Sequence, residues 1–159
     1  MRNELDEALC RDFPKIFANR YGDMQTTAMC WGFECESGWE PLIRRLCEKL
    51  QRLSDYEGHQ VVASQIKEKF GTLSFYVQSA TEIQYDVISQ AEDLSRQKCE
   101  VCGKYAETRS KGYWLKTVCT EHAAEHGYWL YECEAEKLGL EKGTYLSHEE
   151  LKKSTHKGG

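Results

Sequence analysis

The sequence predicts an α+β fold: helices with a β-hairpin, followed by a small module that runs into a C-terminal helix. Three observations carry this reading. Apolar residues recur at helical spacing in several stretches separated by turn signals. Two β-branched and aromatic runs flank a Phe70-Gly71 step, which is a hairpin signature. Two close pairs, Cys99/Cys102 and Cys119/His122, bracket a second predicted hairpin. With 159 residues the chain has room for one domain, or one domain plus a small module.

Residues 4–20 place Leu5, Leu9, Phe13 and Ile16 at three- and four-residue spacing, a helix that Pro14 should kink or divide. Residues 21–37 form a connection rich in aromatic and sulfur side chains, expected to fold onto the core. Ser37 offers an N-cap for a helix running to about Asp55, with Pro41 in its first turn and Leu42, Leu46, Leu50 and Leu53 on one face beside Ile43 and Cys47. Residues 60–69 and 72–78 read as two antiparallel strands. Ser79 followed by Glu82 fits a capping box, opening a helix to about Arg96 that turns Ile83, Val87, Ile88, Ala91 and Leu94 inward. Short strands at 105–109 and 112–118 surround Lys111-Gly112. A helical pattern then runs from Cys119 to about Leu138, where Gly139 suits its end, and Ser147 with Glu150 fits a last turn. The predicted division is a body over 1–97, a module over 98–138 and an extension over 139–159, whose KKSTHKGG end has nothing to bury.

Composition narrows the function classes. Hydrophobic residues make up 40% and charged residues 30%, a globular rather than disordered balance. No apolar run approaches the roughly 18 residues that span a membrane, and MRNELDEALC lacks the basic start and apolar centre of a signal peptide. The expected compartment is a reducing cytoplasm, where eight cysteines do not imply disulfides and a CxxC points to metal or redox chemistry. The net charge of −5 argues against binding nucleic acid over the whole surface. Between Arg96 and Lys116, however, six basic residues face two acidic ones, a local +4 that leaves −9 for the rest.

The metal pattern is C-x2-C, sixteen residues, then C-x2-H. Zinc takes four ligands in a tetrahedron, and thiolate with imidazole suits its borderline softness. Cys99 and Cys102 lie on a turn ending in Gly103, while Cys119 and His122 share one face of a helix start. One structural zinc held by Cys99, Cys102, Cys119 and His122 is the expectation. Lys98, Lys104 and Lys116 would favour the thiolates. His126 competes with Cys119 as fourth ligand. Cys30 and Cys35 have no second close pair and read as small hydrophobes, as does Cys47 on its apolar helix face. A redox CxxC fits poorly, because no strand opens directly into a helix at the motif. Knuckle, hairpin, then a ligand-bearing helix resembles the treble-clef zinc-finger class over residues 98–135. That class includes HNH-type nucleases, which need a hairpin histidine to activate water, and residues 103–118 contain none. The deaminase order of ligands, the P-loop, GxGxxG and GxSxG are likewise absent. A non-catalytic role is expected.

Beyond the knuckle, WGFECESGWEPLIRRLCEKL, QIKEKFGTLSFYV and CEVCG…WLKTVCTEH together resemble a family of small phage and prophage proteins. These share a Trp/Gly-rich turn before an LIxxLC helix, a KEKFGxLxFY hairpin and a C-terminal CxxCG…CxxH. The resemblance covers roughly residues 30–122. It departs at the hairpin turn, usually Phe-Gly-Gly and here Phe70-Gly71-Thr72. It implies expression inside a bacterial cell and little about mechanism. Two roles follow as expectations. One is a binding module that engages or inhibits a host protein complex, for which an acidic body could imitate nucleic acid. The other is a nucleic-acid-binding zinc protein using the basic surround of the knuckle. The candidate contact residues are Lys67, Lys69, Lys104, Arg109, Lys111, Trp114 and Lys116, with Tyr105 and Tyr113 available to stack. For Lys67, Lys69, Phe75 and Tyr76 the alternative is an ordinary strand with one wet and one buried face.

Overall fold

The computed structural model describes residues 1–130 and is α+β. Helix α1 spans Asn3–Asp12 and stops there, shorter than the predicted 4–20. Pro14 disfavours helical backbone in the residue before it, and Phe13 takes φ −128° and ψ 58°. Ile16 and Phe17 are nevertheless buried, carried inward by a succession of turns.

The connection after Tyr21 does fold onto the core. Arg20 grips Asp6 of α1 through two bonds, Nε to Oδ1 at 2.9 Å and Nη2 to Oδ2 at 3.1 Å, and donates to the Cys30 carbonyl. Within this connection lies a strand the periodicity did not reveal, β1 at Phe33–Glu34, too short to show alternation. It pairs in parallel with β2 (Ala63–Lys69), Phe33 opposite Ile66. Strand β3 (Thr72–Val77) completes the order β1-β2-β3, antiparallel to β2. Phe70 and Gly71 both have positive φ, 52° and 79°, as a two-residue hairpin turn matching strand twist requires.

Helix α2 spans Glu40–Glu57 with Pro41 in its first turn, and it buries Ile43, Leu46, Cys47 and Leu50. Ser37 does not cap it. A short 3-10 turn over Ser37–Trp39 intervenes, and the Ser37 hydroxyl accepts a bond from Arg2 N instead. Helix α3 spans Glu82–Ser95, and its capping box is Thr81 with Gln84 rather than Ser79 with Glu82. Its buried face is Gln84, Ile88, Ala91 and Ser95, while Ile83 and Leu94 are half exposed. The two polar residues face inward because each completes backbone hydrogen bonding. Gln84 Nε2 donates to the His59 carbonyl, and Ser95 Oγ accepts from Leu73 N. Glu92 accepts from Phe75 N in the same way. The open edge of β3 is thereby covered, which removes a template for unwanted strand pairing.

The second sheet is antiparallel in the order β5-β4-β6, from β5 (Trp114–Val118), β4 (Glu107–Lys111) and β6 (Trp129–Leu130). Helix α4 is only Thr120–His126, ended by Gly127 in the left-handed conformation, so the predicted run to Leu138 is corrected. Gly139, the Ser147/Glu150 cap and the C-terminal tail lie outside the described residues. No helix among the described residues is long and apolar enough to cross a membrane.

Two clusters of buried side chains result. The larger joins α1, α2, α3 and the first sheet around Trp39, Ile43, Leu50 and Ile66. The smaller holds Cys99, Ala106, Val118, Cys119 and Ala123. They meet at Gly38. Its N–H donates to the Glu100 carbonyl at 2.7 Å, and the neighbouring Trp39 Nε1 donates to the Lys98 carbonyl at 2.7 Å. A Cβ on Gly38 would lie 2.3 Å from Cys99 O, 2.5 Å from Gly103 N and 2.6 Å from Cys102 N, all backbone atoms. The tip of the first hairpin makes a second seam, with Thr117 Oγ1 donating to the Gly71 carbonyl at 2.5 Å.

Gly38→Ala should therefore cost about 3 kcal/mol in urea denaturation through overpacking against rigid backbone. Gly58→Ala is the control. A Cβ there meets nothing within 4 Å, and only its φ of 71° is strained, at about 1 kcal/mol. Equal losses would contradict the seam.

Candidate metal centre

The knuckle is built by backbone hydrogen bonds. Cys99 N donates to the Lys104 carbonyl at 2.7 Å and Gly103 N to the Cys99 carbonyl at 2.8 Å, with Gly103 at φ 75° reversing the chain. The β4–β5 hairpin returns the chain to the knuckle, and Glu100 N donates to the Thr117 carbonyl. Cys119 then stands at the N-cap of α4, and His122 lies in its first turn. The expected order of knuckle, hairpin and helix is thus present, with a shorter helix.

This geometry brings Cys99, Cys102, Cys119 and His122 together, their ligand atoms all within 4.8 Å of one another. Cys102 Sγ lies 3.8 Å from Cys119 Sγ, Cys99 Sγ 3.5 Å from His122 Nδ1, and Cys119 Sγ 3.1 Å from the same nitrogen. A zinc tetrahedron with Zn–S of about 2.3 Å and Zn–N of about 2.0–2.1 Å has edges of roughly 3.8 Å and 3.5 Å. The donor set and its spacing fit a zinc-type ion. His126 is not in the cluster. Its ring stacks on His122 at a centroid distance of 6.2 Å, and Cys119 supplies the fourth ligand position.

The thiols of the cluster sit in different electrostatic environments. Burial alone would raise the Cys99 thiol, but backbone N–H groups of Cys119, Cys102 and Val101 aimed at the sulfur outweigh it and hold the thiol below its ordinary value. Cys102 is pushed up to about 11, by desolvation first and then by the sulfurs of Cys99 and Cys119. A divalent cation removes that mutual repulsion. The remaining cysteines differ. Burial pushes Cys10 and Cys35 up to about 12 and raises Cys47 as well, while Cys30 donates to the Thr27 carbonyl. Among the described residues the Cys99–His122 group is the one that gathers three or more such ligands.

The basic residues of the module are mostly occupied. Arg109, expected as a contact residue, is 3% exposed. Its Nε donates to the Val118 carbonyl and its Nη2 to Glu107, so it braces the hairpin from inside and is corrected as a surface contact. Lys116 lies 3.3 Å from the buried Glu100 carboxylate, Lys104 pairs with Glu121 at 3.0 Å, and Lys111 Nζ donates to the His126 carbonyl. Lys67 and Lys69 sit over the rings of Tyr76 and Phe70. Tyr105, Tyr113 and Trp114 are exposed. Glu100 was missed by sequence reasoning. It is 2% exposed, accepts from Glu36 N and is raised mainly by desolvation. Its position beside Cys99 carried the only hint. Comparison with protein-family models, with curated proteins and with solved structures found no match for this chain.

Metal analysis distinguishes the two ligand sets: Cys119→Ala should lose most bound zinc and His126→Ala should keep a full equivalent. Full zinc retention in Cys119→Ala would refute the assignment. Removing metal should act locally, because two of the five buried residues of the smaller cluster are ligands. On chelation, amide exchange over 98–126 should accelerate by at least tenfold, while α2 and β2–β3 keep their protection. Unchanged exchange across the knuckle would contradict a structural metal.

Proposed function

We propose that this is a small zinc protein acting as a non-catalytic binding module, in which a treble-clef-like knuckle supports a surface that engages or inhibits a host protein complex. The carrying observation is the ligand cluster. Three sulfurs and one nitrogen would complete a tetrahedron from protein atoms alone, leaving no position for a substrate or an activated water, so the ion is structural. Such an ion supplies folding free energy to a segment too short to build its own core.

A protein target is favoured over nucleic acid by the fate of the basic residues. Part of the local +4 is neutralised: Arg109 is buried, Lys116 lies against the buried Glu100, and the exposed Lys104 pairs with Glu121. What is left is an acidic protein, with −5 overall, whose field opposes phosphate. The resemblance to phage and prophage proteins supports a bacterial cytoplasm as the setting and a host complex as the target. Tyr113 and Trp114, both exposed at the second hairpin, support nucleic-acid stacking as the second reading.

Purification of tagged protein from bacterial lysate at native expression tests this. A stoichiometric protein partner that survives nuclease treatment is expected, with no gel shift of single- or double-stranded probes at low salt. Loss of every partner on nuclease treatment, together with a shift that weakens steeply with salt, would replace the protein-binding reading with the nucleic-acid one.

A further inference from the structure

Between α2, α3 and the knuckle lies a groove with a cavity volume of about 510 Å³. Its floor is apolar, formed by Leu42 and Leu46 of α2 and by Val87 and Leu94 of α3, with Gly38 and Gly103 closing one end. Leu94 is 50% exposed although it sits beside this floor. The expectation that Leu94 turns into the core fails because the helix packs on its Gln84–Ser95 face, which leaves the leucine facing the groove.

The rim carries Arg45, Lys49 and Lys98, and the lining contains no acidic side chain. None of these three cations has a carboxylate partner among the described residues. Arg2, Arg52, Lys67, Lys69 and Lys111 share that state, whereas Arg20, Arg44, Lys104, Arg109 and Lys116 are each paired with an Asp or Glu; the groove is distinguished by gathering three unpaired cations around one apolar lining. In a chain of net charge −5, leaving three cations unpaired around one apolar groove is a local reversal of the protein's field. Arg45 and Lys49 lie one helical turn apart, about 6 Å along α2, and Lys98 stands on the knuckle. The charges come from two different elements of the lining, α2 and the knuckle. A ligand with several carboxylates flanking an apolar stripe matches that spread, and a single-headed amphiphile does not.

We propose that this groove binds an acidic amphipathic helix of a partner protein, with apolar anchors on Leu42, Leu46, Val87 and Leu94 and carboxylates on Arg45, Lys49 and Lys98. The geometry is that of a helix laid into a hydrophobic groove. The inference rests on the protein-binding reading above and names its surface. It also gives the metal a task, because the zinc knuckle holds Lys98 and Gly103 at the groove's end.

The test uses the zinc-loaded full chain and labelled synthetic helical peptides of about fifteen residues, with Leu at i, i+3, i+4 and i+7 and Glu elsewhere. Matched peptides carry Lys in place of Glu, or Ser in place of Leu. Fluorescence anisotropy should show binding of the Leu/Glu peptide only, with amide chemical-shift changes at Leu46, Val87, Ala91 and Leu94. Arg45→Glu/Lys49→Glu should weaken it at least tenfold, and Leu94→Ser at least threefold. Arg11→Glu/Lys15→Glu, the same charge change at two exposed cations that do not line the groove, should leave it unchanged. Zinc content and circular dichroism establish that each variant is folded. Equal binding of the Leu/Lys peptide, shifts elsewhere, or no effect of the groove variants would overturn the proposal. Tighter binding of dodecanoate than of the Leu/Glu peptide would assign the groove to an anionic amphiphile. A concentration-dependent dimer abolished by Leu94→Ser would assign it to a second copy. If a protein partner is retained by all groove variants, the protein-binding reading stands and this surface is wrong.

Discussion

Four side chains from two stretches about twenty residues apart converge on one point, and the C-terminal part of the described chain depends on that convergence. Among the described residues, the second hairpin and α4 bury a small cluster, Cys99, Ala106, Val118, Cys119 and Ala123, with Val101 and Tyr128 partly buried against it, far less apolar surface than an independent fold needs. Three thiol groups within 4.8 Å of one another are also a poor core, because any that ionise repel. A bound divalent cation would resolve both difficulties. In small modules a structural zinc contributes roughly 10–16 kcal/mol, and such an ion would turn clustered thiolates into bonded ligands. With zinc, the site would carry a net charge of −1, beside which Lys104 stands exposed.

The knuckle is not a tethered ornament. Gly38 and Trp39 hold it through its backbone, at Glu100 O and Lys98 O, and a side chain at residue 38 would strike three of its backbone atoms. The Trp/Gly-rich turn before α2 therefore serves as the docking element between body and metal centre. Glu100 adds a polar strut, with one oxygen accepting from Glu36 N and the other beside Lys116. Burial of such a carboxylate is tolerable only because both partners are in place. The same arrangement neutralises Lys116, part of the positive charge that, counted along the chain, suggests a nucleic-acid surface.

What the sequence disclosed and what it concealed divide along one line. Features set within a few residues were legible: the paired ligands, the Phe70-Gly71 turn, Pro41 in the first turn of α2, and the apolar stripe of that helix. Features set by distant partners were not. Strand β1 exists because Phe33 meets Ile66, and no two-residue strand shows a period. Gln84 and Ser95 read as solvent-facing until the unpaired backbone groups they satisfy are known. Arg109 reads as a surface cation until the hairpin folds over it. Some misses did have local signals. Gly127 offers a helix stop ahead of Gly139, and Thr81 with Gln84 forms a capping box two residues after Ser79 with Glu82. The ligand set was legible as four residues with a rival, and proximity in three dimensions removed His126 from it.

Zinc K-edge X-ray absorption of the purified protein tests the centre most directly, since it counts the ligands instead of inferring them from variants. Three sulfurs at about 2.3 Å and one nitrogen at about 2.0–2.1 Å are predicted. Two sulfurs with two nitrogens, or a shell containing oxygen, would contradict a closed site formed by Cys99, Cys102, Cys119 and His122.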